Sequence, residues 1–152
     1  MLIPMTTEQK KKIVSVARAL VGKSYVYGAA PENVPNAFDC SSFTQYVFGQ
    51  IGIQLPRSAI LQAADPNGKE VEIFPDFQNL EIGDLLFMRS DRGHYHDQLF
   101  NGKTMDIGHV VLYLGGGAII HSQSKKGGVV EEPLKEFALQ PHYSVVYIKR
   151  FE

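Results

Sequence analysis

Cys40, His109 and His121 are the residues whose types and spacing could do chemistry together. Cys40 is the only cysteine in the chain, so its thiol has no internal disulfide partner. It stands in Phe38-Asp39-Cys40-Ser41-Ser42-Phe43, and apolar residues follow at helical spacing: Phe43, Tyr46, Val47 and Ile51. This pattern predicts a helix whose first turn carries the sulfur. A free thiol ionises near pH ~8.5, and a helix N-terminus or a neighbouring imidazolium can lower that to roughly 3.5–7.5. A lowered thiol pKa is therefore expected at Cys40. Cysteine catalysis also needs a base, and a group that orients the base. His109 opens a strand-like run and is the candidate base. His121 closes the next such run and is the candidate orienting group. Gly115, Gly116 and Gly117 lie near the middle of the interval, so the two imidazoles are expected as cross-strand neighbours in a hairpin.

The elements that must position these three residues are legible in part. Thr6 to Val21 reads as an amphipathic helix, with Thr6 and Gln9 as a capping box and Gly22 as its stop. Residues 23–37 are loop-like, with Gly28, Pro31 and Pro35 as breakers. The Cys40 helix runs to about Gly49–Gly52. Pro56-Arg57-Ser58 opens a short helix to about Ala64, and residues 65–83 read as mostly irregular. Asp84 to Arg89, His109 to Leu114, Ala118 to His121 and Ser144 to Arg150 are β-branched or aromatic runs bounded by Gly, Asp or Pro, and they predict strands. Pro133 to Leu139 reads as one more short helix, and Lys125 to Gly128 as an exposed turn. Helices first and strands later imply an α+β domain with N-terminal helices packed on a central antiparallel sheet.

Composition bounds the rest. The chain has 152 residues, which suits a single domain, 1–152, with a core that needs no staples. Net charge is −1, so no global basic field points to nucleic acid or an anionic membrane. No run approaches 18 apolar residues, so no membrane span is predicted. Met1 to Thr6 lacks the basic and apolar regions of a secretory signal. The expectation is a chain that is cytosolic as synthesised, or released by lysis or a specialised export route.

The chain resembles the NlpC/p60 family of cell-wall cysteine peptidases along most of its length. The likeness is carried by Tyr25-Val26-Tyr27-Gly28, Asp39-Cys40-Ser41-Ser42-Phe43, Leu55-Pro56-Arg57-Ser58, Gly83 to Phe87, Gly108 to Gly115, and Ile120-His121-Ser122. The resemblance implies a papain-like α+β fold and hydrolysis of peptide bonds in bacterial peptidoglycan stems, of the γ-D-glutamyl–diamino acid type. It implies Cys40 as nucleophile, His109 as base, His121 as orienting residue, and Tyr25 beside the Cys40 amide as oxyanion stabiliser. Asp39 and Ser41 resemble substrate-contacting residues, and Arg57 and Ser58 join them as candidates. An aspartate at position 39 suits a free α-amine, although it equally suits a helix cap. The partners implied are stem peptides or muropeptides. No metal or organic cofactor is implied, and a monomer is expected. Ser42 and Ala29 stand where the family commonly has glycine.

The segment Ser90 to Asp106 lengthens the interval between Cys40 and His109 beyond the family pattern and is expected to flank the cleft. Its Asp91, His94, His96, Asp97 and Asp106 are of metal-ligating types, but no second cluster or helical histidine pair supports a zinc site. His142 reads as a surface residue. Two other functions compete with the peptidase. One is an amidase or acyltransferase acting on another amide or ester with the same trio. The other is a non-catalytic module that binds wall fragments.

Overall fold

Thr6 begins the first helix for a local reason. Its hydroxyl accepts the Gln9 N–H at 3.1 Å, while the Gln9 side chain accepts the Thr6 N–H at 2.9 Å. Helix α1 (Thr7–Ala19) then buries Ile13 and Ala17 completely. The computed structural model describes residues 3–73, 77–89, 100, 102, 105–138 and 144–152. After α1 come β1 (Ser24–Tyr25), β2 (Ala37–Phe38), α2 (Cys40–Gly49), α3 (Ala59–Ala64), β3 (Gly68–Glu70) and β4 (Leu85–Met88). Then follow β5 (His109–Gly115), β6 (Ala118–Gln123), β7 (Gly128–Pro133), α4 (Leu134–Ala138) and β8 (Val145–Phe151).

The eight strands form one sheet in the order β2-β1-β7-β6-β5-β4-β8-β3. All neighbours are antiparallel except β1 and β2, which run parallel as a short flap at one edge. The expected α+β architecture is present, with this parallel pair as a local departure. Four strands are missing from the sequence reading: β1, β2 and β3, two or three residues long and too short to show a period, and the six-residue β7. The start of β7 lies in the Lys125–Gly128 segment read as a turn. The hairpin between β5 and β6 follows expectation. Gly115 pairs with Ala118, and Gly116 and Gly117 have φ of 60° and 81°, which the tight turn demands.

Alternation along the strands sends side chains to two cores. Leu85, Phe87, Val110, Leu112 and Ile120 face α1 and α2, meeting Ile13, Phe43, Val47 and Phe48. Leu86, Met88, Val111, Ile119 and Ile148 face the other way, against Leu134 and Phe137 of α4 and Val71. The sheet is thus covered on both faces, and the two histidine positions belong to the α4 face, where both rings pack on Phe137.

Strand β1 is stitched to β7 by close backbone contact. Lys23 O accepts the Val129 N–H at 2.9 Å, and Gly127 O accepts the Tyr25 N–H at 3.0 Å. Gly128 sits opposite Ser24, where a Cβ would overlap the Lys23 carbonyl oxygen. Gly128→Ala is therefore expected to cost about 1–3 kcal/mol, as overpacking does. Urea unfolding would register it, and an unchanged midpoint would contradict this account of the β1–β7 junction.

Candidate active site

Helix α2 starts inside the protein, so its first N–H groups need partners. Asp39 is the N-cap. Its Oδ1 accepts the Ser42 N–H at 2.8 Å, and the Ser42 hydroxyl in turn accepts the Asp39 N–H at 3.0 Å. Arg57 closes on the same carboxylate, donating to Oδ2 at 2.6 Å and to Oδ1 at 3.1 Å. It also donates to the Ser41 hydroxyl at 2.9 Å and to the Ala29 carbonyl at 2.8 Å. Gln62 of α3, fully buried, donates to the Ser41 and Pro56 carbonyls and accepts from the Thr44 hydroxyl. On the other side, the Phe38 carbonyl accepts from Ser122 of β6 at 3.0 Å and from the Val26 N–H at 3.0 Å. The first turn of α2 is thereby tied to α3, to the loop at Ala29 and to the sheet.

This anchoring sets the sulfur beside β5. The registered pairing of β5 with β6 runs from Gly115↔Ala118 to Leu112↔Ile120 and goes no further. Beyond that point the Val110 N–H donates to the Cys40 sulfur, as does the Ser41 N–H. His109 is the chain neighbour of Val110. Its Nε2 lies 2.7 Å from Nδ1 of His121, with the rings edge to face at 5.0 Å between centroids. His121 Nε2 lies 2.6 Å from Oε2 of Glu132. His121 is fully buried and His109 is 6% exposed. Two imidazoles and a carboxylate are therefore hydrogen-bonded in sequence, and the sulfur lies beside the backbone of the residue that follows the first of them.

The expected cross-strand contact of the two histidines is present, and one expectation, the lowered thiol pKa, is corrected. The histidines are not directly opposite one another. Extending the Leu112↔Ile120 register puts Val111 across from His121, so the rings meet diagonally on one face. The thiol pKa is not lowered. Burial pushes it up to about 11, the Asp39 charge adds to the rise, and the N–H groups of Val110 and Ser41 with the Arg57 charge offset it only in part. Burial first, and then the neighbouring His121, hold the His109 imidazolium well below its usual 6.5. The thiol and imidazole thus rest neutral, because the site is too dry to keep either charge alone.

The other candidates fall around this centre. Tyr25 pairs with Phe38, two residues before Cys40, and is half-buried. Asp39 and Ser41 are buried at the Arg57 contact. The Ser58 hydroxyl caps α3 by accepting the Leu61 N–H. Asp106 pairs with Arg89 at 3.3 Å. Asp91, His94, His96, Asp97 and His142 lie outside the described residues, as does most of the 90–106 segment. Among the described residues, no helix is long and apolar enough to cross a membrane. Glu132 escaped the sequence reading. It lies in Val129-Val130-Glu131-Glu132-Pro133, and only the alternation of β7, with one of two adjacent glutamates turned to the histidine face, marks it.

Comparison with known proteins bears on this centre. Residues 22–147 match the profile of the NlpC/P60 family. A probable endopeptidase of Corynebacterium glutamicum is 32% identical over 136 residues, covering 88% of this chain and 51% of that protein. A gamma-DL-glutamyl hydrolase of Bacillus subtilis is 34% identical over 119 residues, covering 78% of this chain and 24% of that protein. The chain therefore spans between a quarter and a half of the length of these relatives. Among solved structures, NlpC2 of Trichomonas vaginalis superposes with a TM-score of 0.73 at 23% identity, over 98% of this chain and 48% of that one. The fold is shared, the papain-like α+β type.

The cap generates a pH prediction. Burial pulls the Asp39 carboxyl upward, but the Arg57 and Ser42 hydrogen bonds and the guanidinium charge outweigh it, and the group sits below its usual 3.8. On acidification the unfolded chain, with Asp near ~3.9, takes up this proton first. The stabilisation is complete above that value and disappears as pH falls through the folded pKa. Asp39→Asn should lower stability at pH 7 and flatten its loss below about pH 4. Urea titrations of both proteins from neutral to acid pH measure this, and parallel curves would refute it.

Proposed function

Because the chain belongs to the NlpC/P60 family, we infer that it is a cysteine endopeptidase that cleaves peptidoglycan stem peptides at γ-D-glutamyl–diamino acid bonds. One observation carries the reading: the Cys40 sulfur is held on the Val110 N–H, one residue from a His109 ring that is itself bonded to His121. The relatives named as endopeptidases and as a gamma-DL-glutamyl hydrolase support the substrate class.

In this reading Cys40 attacks the amide carbonyl carbon while His109 takes the thiol proton. The neutral resting pair makes His109 a general base during attack, with no thiolate stored beforehand. His109 then gives the proton to the departing amine. Water attacks the thioester with the same assistance, and the sulfur regains its proton. His121 orients the His109 ring. Tyr25 and the Cys40 N–H at the start of α2 are the proposed donors to the tetrahedral oxyanion. Such a donor is worth roughly 2.7–4 kcal/mol in comparable hydrolases. Arg57, Asp39, Ser41 and Ser58 form the proposed substrate-binding rim. The Asp39 carboxylate is already shared between the helix cap and Arg57, so a substrate amine would meet a neutralised pair.

Mass spectrometry of defined muropeptides tests the reading. Wild type should release cleaved stems, Cys40→Ala and His109→Ala should release none, and Tyr25→Phe should be slower by about 10²–10³. Activity should persist well below pH 6.5, because His109 stays neutral there. Cleavage surviving Cys40→Ala would refute the mechanism, and binding of muropeptides without any cleavage would refute the enzyme.

A further inference from the structure

The hydrogen-bond chain does not stop at the second histidine. Strand β7 pairs Glu132 with Ile119 and Val130 with His121, so Glu132 and His121 are diagonal neighbours on one face of the sheet. The contacts run from Glu132 Oε2 to His121 Nε2 at 2.6 Å, and from His121 Nδ1 to His109 Nε2 at 2.7 Å. We propose that Glu132 is a positioning residue for the reaction, one that fixes the proton pattern of both imidazoles and supplies the counter-charge for the imidazolium formed on His109. The proposal rests on the hydrolase reading above.

The proton pattern follows from donor and acceptor counting. An ionised carboxylate only accepts, so His121 Nε2 must carry a proton. A neutral His121 then presents a lone pair at Nδ1, and His109 Nε2 must donate to it. That leaves His109 Nδ1 without a proton and able to act as a base. During attack the S–H bond breaks, its proton forms the Nδ1–H bond of His109, and the sulfur electron pair forms the C–S bond. The proton leaves again with the amine nitrogen. The Nε2 protons of both rings stay where they are throughout. Without the carboxylate, His121 can take the other tautomer, donate from Nδ1, and force His109 into the form whose Nδ1 already holds a proton.

The surroundings suit this role. Glu132 is held below the usual carboxyl range by its His121 hydrogen bond, with burial opposing and the charges of His121 and Lys126 assisting. Glu131, next in the strand, turns to the opposite face and pairs with Arg18 of α1 at 3.0 Å. Helix α4 presents Phe137 to both rings, while its Lys135 and Glu136 are exposed. On the sulfur's side, the charged groups acting on Cys40 are Asp39 and Arg57. The carboxylate of Glu132 is therefore an anion in hydrogen-bond contact with the imidazole chain.

The test compares Glu132→Ala, Glu132→Gln and Glu132→Asp with wild type on the muropeptide that wild type cleaves, with kcat and KM measured across pH. Glu132→Ala should lower kcat/KM at least roughly 10–100-fold, the cost of removing an outer carboxylate behind a metal-bound imidazole, and mostly in kcat. It should also move the acid limb to lower pH, since removing a negative charge makes His109 harder to protonate. Glu132→Gln keeps an acceptor and loses the charge, so the limb should shift equally while kcat falls less. Glu132→Asp should return the limb toward wild type. An acid limb unmoved in both Ala and Gln variants, with activity falling only as far as thermal stability does, would overturn the proposal. Nitrogen-15 NMR of the ring nitrogens gives a readout independent of turnover. Wild type should show His109 bare at Nδ1 and protonated at Nε2, and Glu132→Ala should lose that pattern. An unchanged pattern would overturn the proposal even if wild type is active. Absence of cleavage by wild type, with the pattern sensitive to Glu132, would instead remove the hydrolase reading and leave the proton-fixing role standing.

Discussion

A helix that begins against a sheet must find partners for its first N–H groups, and the helix carrying Cys40 finds them in Asp39. That carboxylate would itself be costly to bury, and Arg57 answers it with a two-pronged contact. Arg57 reaches on to the Ala29 carbonyl and the Ser41 hydroxyl, so one guanidinium joins the loop after β1, the helix start and the segment before α3. The position of the sulfur is a consequence of this knot. So is the alignment of the backbone from Phe38 to Ser41, where the Cys40 N–H opens the helix.

The second constraint is dryness. At Cys40 and His109 burial is the largest cause of the shift, raising the thiol and lowering the imidazole. A site of this kind does not keep a charge at rest. In the proposed reaction it would form one only transiently, beside fixed dipoles and a nearby carboxylate. The Val110 and Ser41 N–H groups lie at the sulfur, and Glu132 lies at the far end of the imidazole chain. Phe137 packs on both rings, which are buried, and burial strengthens each of these contacts.

The long periodic elements were legible because their signals are local. α1 declared itself through Thr6, Gln9 and its apolar stripe, and β5 and β6 through β-branched runs around a glycine turn. β1, β2 and β3 were not, since two or three residues show no alternation and take their extended form from the strands beside them. Nor was the six-residue β7, which follows directly on a segment read as a turn. Cys40, His109 and His121 were legible by residue type and motif order. Arg57 was visible in its motif, but its hold on Asp39 was not, for the two are far apart in the chain and nothing in either neighbourhood specifies the other.

What the amino-acid sequence determined alone was the inventory: a lone thiol at a helix start, two strand histidines about a hairpin, a capping aspartate, and enough apolar residues to cover both faces of a sheet. Only tertiary structure decided the registers and the dielectric. The offset of β5 on β6 made the rings diagonal neighbours, and the offset of β6 on β7 set Glu132 behind them. Burial reversed the expected direction of the thiol's pKa. Helix propensity and residue type act over a few neighbours, whereas strand register and desolvation depend on every chain segment that closes over the site.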